Sequence, residues 1–397
     1  MALVFPMGVR RGLTRRRVLA TSLSAAGGAM LAPGLIGRAR ADTVVKIRQI
    51  EPLTGPSAAY GIRARDGAAM AVEEINAAGG VADGKGSKFK LEMAAEDMVN
   101  DPKQAVTIFR QYATDSSIVA SIGPTNSVGF VPIVPIAGQL KLLLLGDGSG
   151  APIKEWNPWA FRVNPIAATA VPVVLKKIVS KEKIKRLAVI YDQTQDGQVG
   201  DSQVCKNMAG ELGYEIVAFE AFRAGDQDFS PQLATIRAAR PDAIYVAAAT
   251  GDGVRAVSQI REMGLKQPLL TGYGSFQDPV YWDGTKGQVK DGYTWLGQDL
   301  SSPAAQLKEF LERYNKRFPQ EATSFSTYGY DAVHTVAEAV KRAGSIDREK
   351  VQQTLSSIDF TTPLGTKVTF KNPPAGDNLT PSVVVIQVTD RGTYAAV

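Results

Sequence analysis

Between residues 43 and 165 the apolar and polar positions fall into a repeating order. Val44, Val45, Ile47 and Ile50 make a short apolar run of strand type, and a polar loop with the turn residues Pro52, Gly55 and Pro56 follows. Ala64, Ala68, Ala71, Val72 and Ile75 then recur at helical spacing, with Arg63, Arg65, Glu73 and Glu74 off that face. Gly79 and Gly80 stop the helix, because glycine accepts the left-handed turn at a helix C-terminus. The order then returns. Residues 89–97 predict a strand. Asp101 caps a helix that Pro102 opens, and this helix turns Ala105, Ile108, Phe109 and Tyr112 inward. Residues 118–122 predict the next strand, ending in Gly123-Pro124-Thr125-Asn126-Ser127. The dense apolar run 141–145, ending in Gly146-Asp147-Gly148-Ser149-Gly150, has the composition of a strand covered on both faces.

Residues 155–164 read as a passage between two halves, after which the pattern restarts. A helix is expected over 167–179, a strand over 187–191, a loop over 192–200 and a helix to 212. A strand at 216–222 follows, then a helix with Ser230 as cap and Pro231 in its first turn. Strands at 243–249 and 268–271 flank a helix at 253–263. Later helices fall near 303–317, 325–342 and 348–357, and short strands at 367–370 and 383–388. This alternation predicts an α/β chain with two open, mostly parallel sheets.

A chain of 397 residues is long enough for two such cores. Its formal charge of +6 invites a nucleic-acid reading, but seven arginines lie within residues 1–41, which carry no acid. Without them the balance is −1, and no electrostatic footprint for a phosphate backbone is left. Those residues read as an address. Thr14-Arg15-Arg16-Arg17-Val18-Leu19 resembles a twin-arginine export motif, a short apolar small-residue segment follows, and Ala39-Arg40-Ala41 has the A-x-A form of a cleavage site. The expected mature chain begins at Asp42, in the periplasm, with no stretch long and apolar enough to span a bilayer. The one cysteine, Cys205, excludes an intramolecular disulfide and a thiolate metal cage, and no metal site is expected. The one histidine, His334, falls in a helical pattern and reads as a helix residue.

Two loops carry candidate binding chemistry. Gly123–Ser127 and Gly146–Gly150 both end strands, their small residues leave backbone N–H groups open, and Ser127 and Ser149 add hydroxyls. Such a nest suits an oxyanion, although the same residues also make two ordinary strand-to-helix turns. Gly251-Asp252-Gly253-Val254-Arg255-Ala256 has the G-x-G-x-x-A form of a dinucleotide fingerprint, but the strand after it ends without the acid that would hold a ribose. Residues 79–85 mimic a phosphate loop, yet follow a helix and lack its Ser/Thr. No nucleophile elbow occurs. No cofactor is expected.

The string EPLTGPSAAYG, followed by DGAAMAVEEINAAGGV, resembles the opening of the extracytoplasmic solute-binding proteins of branched-chain (hydrophobic) amino-acid ABC transporters. The resemblance implies two Rossmann-like lobes joined by a hinge of about three chain crossings. It places the first lobe at 42–165 and 297–379 and the second at 166–296 and 380–397. It implies a small-molecule ligand, a membrane permease as partner, a monomer and no catalysis. Ligand contacts are implied at Ser127, Gly148 and Gly150, with Asn126 and Ser149 in the same loops and Tyr60 lying over the ligand. Asn100 and Asn126 stand where some relatives carry a disulfide. In the second lobe the family's ammonium-binding acid aligns with Tyr273 instead. Either another acid serves, with Asp196 in QTQDGQ the candidate, or the ligand lacks an amino group and Tyr273 and Phe276 face an aromatic or other hydrophobic carboxylate. The competing readings are an exported dinucleotide-dependent enzyme and a ligand-sensing receptor module.

Overall fold

The computed structural model describes residues 43–83, 85–272 and 275–397. The export motif, its cleavage point and Tyr273 lie outside the described residues. The first half holds β1 (Thr43–Glu51), α1 (Ala58–Ala77), β2 (Val81–Ala82), β3 (Lys88–Asp97), α2 (Pro102–Thr114), β4 (Ile118–Ile122), α3 (Ser127–Leu140), β5 (Leu143–Gly146) and β6 (Ala160–Arg162). Its strands form one sheet in the order β2-β3-β1-β4-β5-β6, parallel throughout except for the β2–β3 pair. The pattern of two-sided burial holds: Leu143 and Leu145 enter one core, and Leu142 and Leu144 enter the core on the opposite face. The expected cap is in place, with the Asp101 carboxylate accepting from Lys103 N–H and Pro102 starting α2.

The chain then builds a second sheet. In order come α4 (Ala167–Glu182), β7 (Arg186–Asp192), α5 (Asp196–Leu212), β8 (Glu215–Phe222), α6 (Ser230–Ala239), β9 (Ala243–Ala247), α7 (Thr250–Glu262), β10 (Leu269–Leu270), α8 (Pro279–Gly284) and β11 (Tyr293–Leu296). Next follow α9 (Ala305–Arg317), α10 (Ser324–Ala343), α11 (Arg348–Leu355) and the hairpin β12 (Asp359–Thr361) and β13 (Lys367–Thr369). The chain finishes with β14 (Val384–Asp390) and β15 (Thr393–Ala396). The second sheet runs β15-β14-β11-β10-β9-β7-β8, with β14 reversed and so antiparallel to both its neighbours, β11 and β15. It is also covered on both faces: Leu187 and Val189 point into one core, Ala188 and Ile190 into the other.

The late helices return to the first sheet. Residues from α9, α10 and α11 share a core with β1, β4 and β5, while β14 and β15 rejoin the second sheet. Two glycines make the return possible. A Cβ on Gly67 would lie 1.9 Å from Ser326 O, and one on Gly329 would lie 2.1 Å from Ala64 O, so α1 and α10 cross backbone to backbone.

Three local expectations need correction. Residues 155–164 are more than a passage, because β6 lies within them and pairs with β5. The expected loop at 192–200 ends early: α5 begins at Asp196, whose carboxylate suits the positive end of a helix. Phe229, not Ser230, stands at the cap position of α6.

Candidate functional site

The strand orders put a crevice at each sheet. In the first, successive strands lie to either side of β1, so the loops after β1 and β4 diverge. In the second, the same reversal occurs between β7 and β9. Crevices at such switch points, outside the carboxyl ends of parallel strands, are where open α/β sheets bind ligands. Here the two crevices share one pocket. From the first half it is lined by Ser57, Tyr60, Thr125, Asn126, Ser127, Gly148 and Gly150, and from the second by Gly197, Gln198 and Asp201, in the first turns of α5.

Ser127 is the centre of the first wall. Its Oγ accepts from the N–H groups of Gly150 (3.2 Å) and Ala151 (3.0 Å) and shares a hydrogen bond of 3.0 Å with Ser149 Oγ. The nest expected from the glycine-rich loop is thus partly filled by the protein's own hydroxyl. The two N–H groups fill both lone pairs of Ser127 Oγ, so its O–H proton is shared between Ser149 Oγ and the pocket. Asn126 serves a different end. Its Oδ1 caps α3 through Gly129 N–H, and its Nδ2 donates to Asn100 Oδ1 at 2.6 Å. The two asparagines Asn100 and Asn126 therefore meet. Gly148 has no room for a side chain, since a Cβ would lie 2.6 Å from Thr125 O. Tyr60 is buried and stacks on Phe325, centroids 4.3 Å apart, in a small cluster that also holds Ala249 and Tyr328.

Behind these loops lies a carboxyl pair that pattern reading did not single out. Glu51 ends β1 and Asp147 follows β5; both are fully buried. Glu51 Oε2 accepts from Thr125 N–H (3.0 Å) and Oγ1 (2.9 Å), and the Gln49 amide donates to Glu51 Oε1 (3.0 Å) and Asp147 Oδ2 (3.4 Å). Burial pushes the Asp147 carboxyl up to about 7. Burial, and then the neighbouring Asp147, raise Glu51 well above the ordinary carboxylate range. The pair therefore holds protons near neutrality and stitches together the strand ends that carry the loops around Ser127 and Gly148.

The walls touch. A Cβ on Gly197 would come 3.1 Å from Ser127 Oγ, and one on Gly200 would come 3.2 Å from Pro152. The space left among the lining residues is about 20 Å³, room for roughly one water, so a solute enters only if the halves part. Beside the pocket the halves are tied by Arg63 of α1. Its guanidinium meets Asp278 at 2.9 Å with both side chains buried, and it also donates to the carbonyls of Glu321 and Ala59.

The second-half candidates separate. Asp196 does not line this pocket; it borders a neighbouring hollow of 590 Å³ with Val131, Val134, Pro135, Ile153 and Val199. Its early place in α5 turns it one way, while Gly197 and Asp201 turn the other. Phe276 is 2 % exposed and packs edge-on against Tyr281 in the core of the second sheet, so it is a packing residue and not a pocket wall. Asp201, Gln198 and Gly197 were missed because the helix was read as starting after residue 200. With a start at Asp196, the i, i+4 pair Gly197 and Asp201 falls on one face.

The dinucleotide alternative loses its turn. Gly253 packs on Tyr281, where a Cβ would lie 1.6 Å from the hydroxyl oxygen, and the Asp252 carboxylate occupies the turn by accepting from Gly225 N–H and Arg255. His334 lies in α10 beside Tyr330, pushed down to about 4 by burial, and Cys205 is buried in α5. Among the described residues no group of His, Cys, Asp or Glu is placed to hold a metal ion, and no helix is long and apolar enough to cross a membrane.

Two α/β halves with one pocket between their switch points define a cleft-type binding protein. The chain belongs to the periplasmic binding protein family, whose model matches residues 44–393. It is 30 % identical over 335 residues to the Leu/Ile/Val-binding protein homolog 1 of Brucella abortus (strain 2308), covering 83 % of this chain and 86 % of that one. Its fold is similar to the leucine binding protein LivK of Thermotoga maritima, with a TM-score of 0.79 and 27 % identity over 89 % of this chain and 97 % of that one. It is also similar to the branched-chain amino-acid transporter substrate-binding protein LivJ of Streptococcus pneumoniae, solved with isoleucine. That match has a TM-score of 0.79 and 25 % identity, covering 89 % of this chain and 99 % of that one. The chain is of the type of these binding proteins.

Proposed function

We propose that this chain is the extracytoplasmic solute-binding component of an ABC importer. It takes a small carboxylate solute into the pocket between its halves and delivers it to a membrane permease. The observation that carries the reading is Ser127, which lines a pocket walled by both halves and gathers the N–H groups of Gly150 and Ala151 at its hydroxyl. In this reading the lobes comprise 42–165 with 297–379 and 166–296 with 380–397, in keeping with sheet membership and with the return of α9–α11 to the first core. Residues 1–41 are removed on export after Ala41, and the mature chain works as a monomer.

A solute that touches both walls binds the closed arrangement better than the open one, and only that difference shifts the equilibrium toward closure. The already tight contact of Gly197 with Ser127 means that binding must open the cleft and then reclose it around the guest. The test is thermal unfolding of the mature chain with a panel of amino acids and of aromatic and aliphatic acids. A solute at about a hundred times its Kd adds roughly 2.7 kcal/mol of stability. A panel in which no carboxylate raises Tm, or turnover of any of them, overturns the proposal.

A further inference from the structure

We propose that the pocket takes up a proton together with a carboxylate solute, at the Glu51–Asp147 pair behind its first wall; the inference rests on the reading of the pocket as a carboxylate site. Both acids are 0 % exposed, and each is joined directly to a lining residue. Asp147 precedes Gly148 in the chain, and Glu51 holds Thr125 by its N–H and its hydroxyl. Gly148 and Thr125 in turn press together, with no room for a Cβ between them. An anion held by these loops therefore lies one residue away from the pair.

The cluster is short of protons by simple count. Its donors are the two of Thr125 and the Gln49 amide, which reaches Glu51 Oε1 and Asp147 Oδ2. Asp147 Oδ1 and Gln49 Oε1 are buried acceptors with no partner. Among the described residues no lysine or arginine forms an ion pair with either acid. Two like charges in one dry site do not both ionise, so the pair keeps at least one proton.

The other charged groups packed around the pair have partners of their own. Asp97 of β3, in register with Glu51, accepts from Leu53 N–H, Thr54 Oγ1 and Val99 N–H, and Glu96 of that strand is exposed. Tyr112 of α2 donates to the Gln49 carbonyl. Arg162 of β6 donates to the carbonyls of Ser149 and Ala151 and pairs with Asp377. β4 and α3 bring no titratable side chain. Asp331 of α10 accepts from Gln298, and Tyr60 and Asp201 face the pocket itself. Burial puts Asp147 at about 7, so its proton comes and goes near neutrality. A solute anion beside the loops makes the ionised form of Asp147 costlier and so raises its hold on a proton. By reciprocity the bound proton tightens the anion, and affinity falls as pH rises through 7. For charges about 8 Å apart at an effective dielectric of about 20, binding at pH 8 is ~5–10-fold weaker than at pH 6.

The experiment is titration calorimetry of the purified mature chain from pH 6 to pH 8 with L-leucine, L-phenylalanine, 4-methylpentanoate and 3-phenylpropanoate, whose carboxyl groups stay ionised throughout. Each titration is run in phosphate and in Tris, and the difference in heat counts the protons exchanged with the buffer. The expected result for an acid that binds is uptake of roughly half a proton or more at pH 7.5, with the ~5–10-fold loss of affinity by pH 8. This count is made on the wild type and needs no variant to fold. Asp147→Asn is expected to lose the pH slope and most of the uptake, while Asp331→Asn keeps both. Equal heats in the two buffers with a flat affinity overturn the proton coupling and leave the carboxylate site standing. A slope that survives in Asp147→Asn overturns the assignment to the pair. Binding by none of the four acids at pH 6 overturns the carboxylate site, and the inference with it.

Discussion

Replacing Asp147 by Asn tests whether the loops around Ser127 and Gly148 are held by a proton. Asp147 and Glu51 share a dry site where Gln49 donates to both and the Glu51 carboxyl accepts from Thr125. Burial holds Asp147 up to about 7, against about 3.9 in an unfolded chain. A group that binds its proton more tightly when folded adds stability that is complete below the unfolded value and fades as pH rises through the folded one. For one site with those two values, stability falls by about 2–3 kcal/mol between pH 5 and 8. Glu51 acts in the same direction, through burial and its neighbour. An asparagine keeps the shape and a donor toward Glu51 but has no proton to lose. Chemical denaturation of both forms across pH 5–8 reads the result. The variant should sit close to the wild type at pH 5 and gain on it by up to the stated amount at pH 8. The comparison must be between the two forms, because Asp331, also pushed up to about 7 by burial, tilts both curves alike. Parallel curves for wild type and Asp147→Asn would refute the shared-proton account.

Ser127→Ala removes the hydroxyl that organises Gly150 and Ala151; binding of the responding carboxylate should weaken by about 1.5–3 kcal/mol, as expected for a hydrogen bond to a charged group, and the free protein should stay folded but lose about 1–3 kcal/mol, because two buried N–H groups lose their acceptor. Gly148→Val drives a side chain into the Thr125 backbone and should abolish that binding in calorimetry. Arg63→Met leaves Asp278 buried without its cation and should destabilise the chain by about 3–5 kcal/mol in urea, whereas replacing both partners with apolar residues should restore much of the loss. Asn100→Cys with Asn126→Cys should form a disulfide on export, because the two amides already meet. Closing that loop of 26 residues should add about 3 kcal/mol over the reduced form.

Much of the architecture was legible in the chain itself. Alternating strand and helix periods, the Asp101-Pro102 start and the two-sided apolar run before Gly146 each follow from local rules that need no partner, and the structure keeps all three. The loops around Ser127 and Gly148 were legible as strand ends rich in backbone donors, and the structure brings both to one pocket, where Ser127 Oγ takes two of those donors. Boundaries were less legible. The start of α5 was read too late because Asp196-Gly197 resembles a turn, and that shift hid Gly197 and Asp201 from the site.

What the sequence determined by itself is therefore a set of local periods and turns, from which two mostly parallel sheets and the two loops of one pocket wall follow. Only the tertiary structure decided which side chains share the pocket. It set Phe276 into the core against Tyr281, turned Asp196 to the neighbouring hollow, and brought Asp201 to the pocket beside a glycine 71 positions away in the chain, at Gly272. The physical reason is that periodicity reports which face of an element is apolar. Which polar group stands opposite which depends instead on how closely two backbones can approach, and here glycines at positions 67, 197, 272 and 329 set those approaches.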